Sequence, residues 1–229
     1  MLDAMDQYDI SEIWVSATTG CVRDFEYYNK KTFNSFTHAY PSRFKGYAIL
    51  NPYYPDRMRE EIKRCFEEYG FIAIKIHSWI QAFILHQPIV YEIMDAAGKY
   101  QIPIMFHDGS PPYADTLQIA ALAEKYPEVN IILGHSGLYD SYRSAIQAAK
   151  AHKNIWLILQ GPTINDMKEI IQSSPQERLL FGTDYCCGGS GWKGETLIRD
   201  RLDILRYACS DSALLDQINC KNALSLLKR

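Results

Sequence analysis

Short apolar runs alternate with amphipathic stretches along the whole chain, and this order predicts an α/β fold built on an all-parallel sheet. The sheet is expected to close as a TIM-type (β/α)8 barrel that lacks its first strand. Two counts support the barrel over an open doubly wound sheet. About seven strand-like runs are present where a closed barrel needs eight, and no glycine-rich phosphate loop follows the first run, where an open nucleotide-binding sheet normally places one.

Taken in order, the chain opens on a helix-like segment, MLDAMDQYD, where a barrel would start with a strand. Strand-like runs then fall at 13–17 (IWVSA), 46–51 (GYAILN), 71–78, 102–108, 129–135, 155–160 (IWLILQ) and 178–184. Between them lie MREEIKRCFEEYG, IVYEIMDAAGKY, TLQIAALAEKY and YRSAIQAAKAH, each with apolar residues at helical spacing. Gly70 is placed to close a helix before the third run, and Pro103 and Pro127 stand near strand starts, where a missing N–H is tolerated. No Gly/Ser-rich or Pro-rich linker divides the chain, so residues 1–229 read as one domain.

Composition narrows the class. With 229 residues, 47% hydrophobic and 22% charged, the chain can bury a large core. A net charge of -3 without blocks of like charge argues against nucleic acid as partner. No apolar run reaches membrane-spanning length and the first residues do not resemble a signal peptide, so a soluble cytoplasmic protein without a membrane partner is expected. Six cysteines without regular spacing read as reduced thiols, the adjacent Cys186 and Cys187 included.

The functional signal lies at the strand ends. Lys75 and His77 in FIAIKIHS, His107 in IPIMFHDG, His135 in VNIILGHSG and Asp184 in RLLFGTDY close runs that are otherwise apolar. Strands buried on both faces do not place ionisable groups at one shared end for packing. The period of two puts Lys75 with His77, Met105 with His107, Leu133 with His135 and Leu180 with Asp184 on common faces. If these faces point inward, the polar groups gather at the C-terminal mouth, where barrel enzymes build their sites. Imidazoles and a carboxylate converging there suit a divalent metal, zinc before others, that lowers the pKa of a bound water.

FHDG, GHSG, GTDY and the closing INCKNALSLLK, in this order, resemble the amidohydrolase superfamily, and within it the branch that includes aminocarboxymuconate semialdehyde decarboxylase and related decarboxylases. MLDAMDQYDISEIWVSATTG resembles the first helix and second strand of that branch and IAIKIH its fourth strand, so the resemblance covers essentially the whole chain. It implies that His107 is a metal ligand, that Asp184 is a ligand also taking part in proton transfer, and that His135 acts as acid or base beside the metal. The departure is the first-strand His-x-His pair, which occurs nowhere in this sequence. His38, in FTHAYPSRF, cannot replace it. Because the downstream set is intact, the preferred reading is that a strand precedes Met1 in the natural protein; the other is a natural, degenerate chain.

Other residues are weighed beside these. Lys75 could be a carbamylated bridging ligand, but an interior lysine paired with an acid is the plainer reading. His77, Trp79, Tyr185 and Trp192 are candidates to line the substrate pocket, whereas His86 and His152 read as surface residues. The glycine-rich CCGGSGWKG lacks a P-loop pattern, and its Lys193, like Arg143, is a candidate to meet an anionic substrate. The expected function is hydrolysis of a small amide, lactone or similar carbonyl compound by a metal-activated water. Metal-dependent, non-oxidative decarboxylation of an unsaturated or aromatic acid is the alternative, and a catalytically silent barrel the third. Unpaired edges beside the missing strand lead to an expectation of association, a homodimer in the simplest case.

Overall fold

The computed structural model of the chain describes residues 1–185 and 194–227. A seven-stranded sheet runs in sequence order: β1 (Ile13–Val15), β2 (Phe44–Ile49), β3 (Ala73–Ile76), β4 (Ile104–Phe106), β5 (Ile131–Leu133), β6 (Ile155–Ile158) and β7 (Leu179–Leu180). Every neighbouring pair is parallel, with Ile13 opposite Phe44, Ile49 opposite Lys75, Met105 opposite Ile132 and Ile158 opposite Leu180. Helices return the chain between strands: α1 (Leu2–Gln7), α2 (Phe25–Thr32), α3 (Pro55–Lys63), α4 (Ser78–Gln81), α5 (Pro88–Tyr100), α6 (Thr116–Lys125), α7 (Tyr142–Ala151), α8 (Ile164–Ser173) and α9 (Gly194–Ala208). Two short helices, α10 (Ser212–Asp216) and α11 (Asn222–Leu227), follow. The architecture is the expected TIM-barrel-like arrangement with seven strands. Among the described residues β1 pairs only with β2 and β7 only with β6.

Local chemistry explains where elements begin. The Asp115 carboxylate accepts from Leu117 and Gln118 N–H at the start of α6, Asp24 caps α2 through Tyr27 N–H, and Pro55 and Pro88 open α3 and α5 at a position that needs no donor. Gly70 stands at φ +63° just before the third strand, a conformation that favours glycine. A β-carbon on Gly46 of β2 would come within 2.4 Å of the Phe71 ring, so the bare backbone there lets an aromatic ring lie on the strand.

The strands divide two apolar layers. Ile74, Ile76, Ile104, Phe106, Ile131, Leu133, Leu157 and Leu179 face the helices, with Met94, Ile119, Ile146 and Met167 against them. Ile132, Trp156, Ile158 and Leu180 form a smaller inner cluster with Leu226, joined by Trp14 and Met105. Each such side chain, fully buried, contributes roughly 1.5–3 kcal/mol. On β3 and β4 the expected alternation holds, Lys75 and Met105 lying between outward neighbours. On β5 it does not: Leu133 and Ile131 belong to the helix layer, so a strand continued to His135 would point the imidazole away from the mouth. The strand stops at Leu133 and a turn redirects the chain.

Candidate active site

The turn after β5 is held by an interlock with the end of β4. Phe106 O accepts from Gly134 N–H, and a β-carbon on Gly134 would approach that oxygen to 2.7 Å. Gly109 (φ +81°) faces Gly137 (φ +86°) so closely that a β-carbon on Gly109 would stand 2.6 Å from the Gly137 carbonyl. Between them the Asp108 carboxylate, with no exposed surface, accepts from His135 N–H and Gly137 N–H, both at 2.6 Å. Ser136 and Leu138 take positive φ values of 49° and 52°, and the Ser136 hydroxyl donates to Ile158 O on β6. Burial raises the Asp108 pKa to about 6, against the lowering by its two N–H donors and by Lys75.

This interlock brings His135 into a histidine cluster. The His77 and His107 rings stack with centroids 4.0 Å apart at 14°, and His135 meets His107 edge-on at 4.5 Å. The exposed indole of Trp79 lies nearly parallel to both stacked rings, 5.9 Å from His107 and 6.2 Å from His77. His107 Nε2 lies 3.0 Å from the Ser110 hydroxyl, and His135 Nδ1 lies 3.3 Å from the Gln160 amide nitrogen. His77 Nδ1 faces Ile80 N–H at the start of α4.

Burial, reinforced by nearby positive charge, keeps these imidazoles neutral. Lys75 is buried, and its Nζ lies 3.5 Å from where a β-carbon on Gly134 would stand. Burial first, then Lys75, lowers the His107 pKa to about 4. Burial, His107 and Lys75 together lower that of His77 to about 3. Burial, then Lys75 and the neighbouring histidines, with a further contribution from Arg201, lowers that of His135 to about 2.

Among the described residues Asp184 does not join these histidines in a group that could hold a metal. It follows β7 in the left-handed region (φ +54°), and its residue surface is exposed. The metal reading can be tested on donor geometry. Parallel rings 4.0 Å apart aim their in-plane lone pairs along separate planes, so His77 and His107 do not share one ion. Among the described residues no three His, Cys, Asp or Glu side chains gather closely enough to hold a metal. The described donor set does not fit a resident metal, which usually takes at least three protein ligands.

Tyr185 lies next to Asp184 and is half-buried. Arg143 is engaged outside the mouth, its guanidinium donating to both Glu169 carboxylate oxygens at 3.0 Å. His86 is exposed and bonded to Gln118 O, and His38 packs on Phe33 behind β2. Cys186, Cys187, Trp192 and Lys193 lie outside the described residues. Three groups were missed. Gln160 carried the same signal as the histidines, being the polar end of IWLILQ, and Asp108 stood beside His107 in FHDG. Arg201, on α9, carried no local signal at all.

The amidohydrolase family model matches residues 6–229. The chain is 25% identical over 151 residues to a gamma-resorcylate decarboxylase from a Rhizobium species, and 24% identical over 152 residues to one from a Polaromonas species. These matches take in 52% and 51% of this chain and 45% of each relative, so the chain spans less than half the length of the curated relatives it matches. Among solved structures, a 2,6-dihydroxybenzoate decarboxylase complexed with 2,6-dihydroxybenzoate superposes with a TM-score of 0.75 at 19% identity, covering 100% of this chain and 87% of that one. A 5-carboxyvanillate decarboxylase from Novosphingobium aromaticivorans, a D314N mutant with bound manganese and a nitrobenzoic acid, gives 0.76 at 19%, covering 100% and 80%. At these identities the structural likeness speaks for the fold.

Proposed function

Because the chain belongs to the amidohydrolase family, in the branch of aminocarboxymuconate semialdehyde decarboxylase, we propose that its site serves the non-oxidative decarboxylation of an aromatic acid. The observation that carries this reading is the flat stack of His77, His107 and exposed Trp79 beside a buried, neutral His135. Such a surface suits an aromatic ring, which gains from parallel, offset contact with other rings. The curated relatives are named for decarboxylation, which favours it over hydrolysis of an amide or lactone.

In the proposed reaction the bond between ring and carboxylate breaks, its electron pair stays on the ring carbon, that carbon takes a proton and carbon dioxide leaves. His135 is the group proposed to pass the proton. Burial and neighbouring charge keep His135 unprotonated at rest, so the proton it passes to the ring is first taken up from solvent, and Gln160 at Nδ1 orients the imidazole. Lys75 supplies positive charge beneath the ring as electron density builds there. Asp184, at the rim, is assigned a role in proton exchange with solvent, and Tyr185 a place on the pocket wall. The metal-ligand roles implied for His107 and Asp184 are left out, since the described donors do not converge, and zinc in particular gains no support from relatives whose structures hold manganese.

The test is incubation with a panel of hydroxylated benzoates, with release of carbon dioxide and of the decarboxylated ring as readout. His135→Asn is expected to lower turnover by about 100-fold or more. Hydrolysis of amides or lactones by the chain, with no carbon dioxide from any benzoate, would overturn the reading.

A further inference from the structure

Two arginines in the described chain have guanidinium groups whose burial pulls their pKa below the ordinary arginine value, Arg178 and Arg201. Their surroundings differ. Arg178 donates to the carbonyls of His152 (2.7 Å), Ile155 (2.9 Å) and Ala149 (2.8 Å) and stands 3.7 Å from the Glu177 carboxylate. It is a tie between helix and strand with its donors used. Among the described residues Arg201 makes one hydrogen bond, a 3.3 Å contact from Nη1 to Pro162 O. The acidic groups that raise its pKa, Tyr139, Asp184 and Asp200, act through charge alone, without an ion pair among the described residues.

Arg201 is half-buried, and among the described residues most of its donors meet no protein acceptor, whereas a partly desolvated cation is normally paired. The place where this one sits is specific. Pro162 follows Gly161, whose β-carbon, if it had one, would stand 2.6 Å from His135 O and 3.1 Å from His135 Cβ. Gln160, one residue earlier, holds His135 Nδ1. Arg201 is thereby anchored to the segment that packs on His135, and its charge reaches that ring.

We infer that Arg201 is the anion-binding group of the site, held at the rim by Pro162 O with its planar fork available to a substrate carboxylate. The substrate class rests on the decarboxylase reading, whereas the anion site rests on Arg201 itself. A guanidinium fork accepts a carboxylate through two parallel bonds, which lysine does not reproduce. The chemistry also sets what Arg201 does for turnover. The carboxylate leaves as neutral carbon dioxide, so a cation paired with it favours the bound acid more than the transition state. Loss of Arg201 is therefore expected to raise KM and not to lower kcat.

The probes are 2,6-dihydroxybenzoate and resorcinol, the same ring without the carboxylate. In wild-type protein, titration with 2,6-dihydroxybenzoate is expected to move the Arg201 Nε–H resonance, and resorcinol to leave it in place. Arg201→Ala is expected to weaken 2,6-dihydroxybenzoate binding by about 10- to 100-fold, the worth of a charged hydrogen-bonded pair, with resorcinol binding unchanged. Arg201→Lys, with the charge kept and the fork lost, is expected to fall between. If carbon dioxide is released, KM rises by about the same factor and kcat is not lowered. If none is released but the resonance shift and the weakening remain, the decarboxylase reading fails and the anion site stands. An unmoved Arg201 resonance, equal binding of the two probes by wild-type protein, or an Arg201→Ala variant that binds 2,6-dihydroxybenzoate as tightly as wild type would overturn the inference.

Discussion

The ends of β4 and β5 and the end of β7 all carry glycine-flanked polar motifs, FHDG, GHSG and GTDY, yet the fold uses them differently. At β4 and β5 two strand ends lie side by side, so Gly109 can press on Gly137, Gly134 on Phe106 O, and Asp108 can bridge to two N–H groups of the neighbouring turn. At β7, a strand of two residues paired on one side only among the described residues, Asp184 takes φ +54° and is exposed. The lesson is that a strand-end motif defines a side-chain position only when adjacent backbone wedges it. His135 is placed by contacts from the ends of β4 and β6, whereas among the described residues no such backbone wedge is found at Asp184.

The sharpest way to break this comparison is Gly137→Ala. Its φ is +86°, and a β-carbon would meet the Ser141 carbonyl at 2.3 Å, so strain and overpacking add to about 3 kcal/mol or more of lost stability in chemical denaturation. An effect below about 1 kcal/mol would mean the interlock yields easily. Next in size, Asp108→Asn places an amide NH2 group where two backbone N–H groups need acceptors, at a cost of about 2 kcal/mol, with faster hydrogen exchange at His135 and Gly137.

Acidification tests the same region through charge. His77, His107 and His135 have folded pKa values of about 3, 4 and 2, below the ordinary 6.5, so the unfolded chain takes up protons first as pH falls. Their contribution is complete above pH 6.5 and is lost progressively below it. Asp108, raised from 3.8 to about 6, works in the opposite sense: its ionised form is disfavoured in the fold, so its own contribution improves as pH falls from about 6 toward 3.8. Three histidines against one carboxyl predict a net loss of stability between pH 6.5 and 4, read as a falling denaturation midpoint; a flat profile would show the histidines to be hydrated. The smallest effect is expected at the other region. Asp184→Asn is predicted to change stability by less than about 0.5 kcal/mol, since the residue is exposed and asparagine also tolerates a positive φ. A loss of about 2 kcal/mol would place Asp184 in a contact network as firm as that of Asp108.

Much of this molecule is legible in local patterns. The seven parallel strands in sequence order, the returning helices and the polar residues at the strand ends follow from apolar periodicity and turn chemistry, which act over a few neighbouring residues. So does the inward direction of His77 and His107, because β3 and β4 keep the period of two up to those residues. His135 could be named from the sequence but not aimed, since the period of two points it outward and only the pressure of Gly109 and Asp108 from the next strand turns it in. Gln160 was visible at a strand end without a partner to give it meaning. Arg201 was decided by tertiary structure alone: it sits mid-helix on α9, and it becomes part of the site only because that helix packs on α8 and brings it to Pro162. Local sequence sets the direction of a side chain while the backbone remains regular. Where a strand ends, contacts between segments distant in the chain take over.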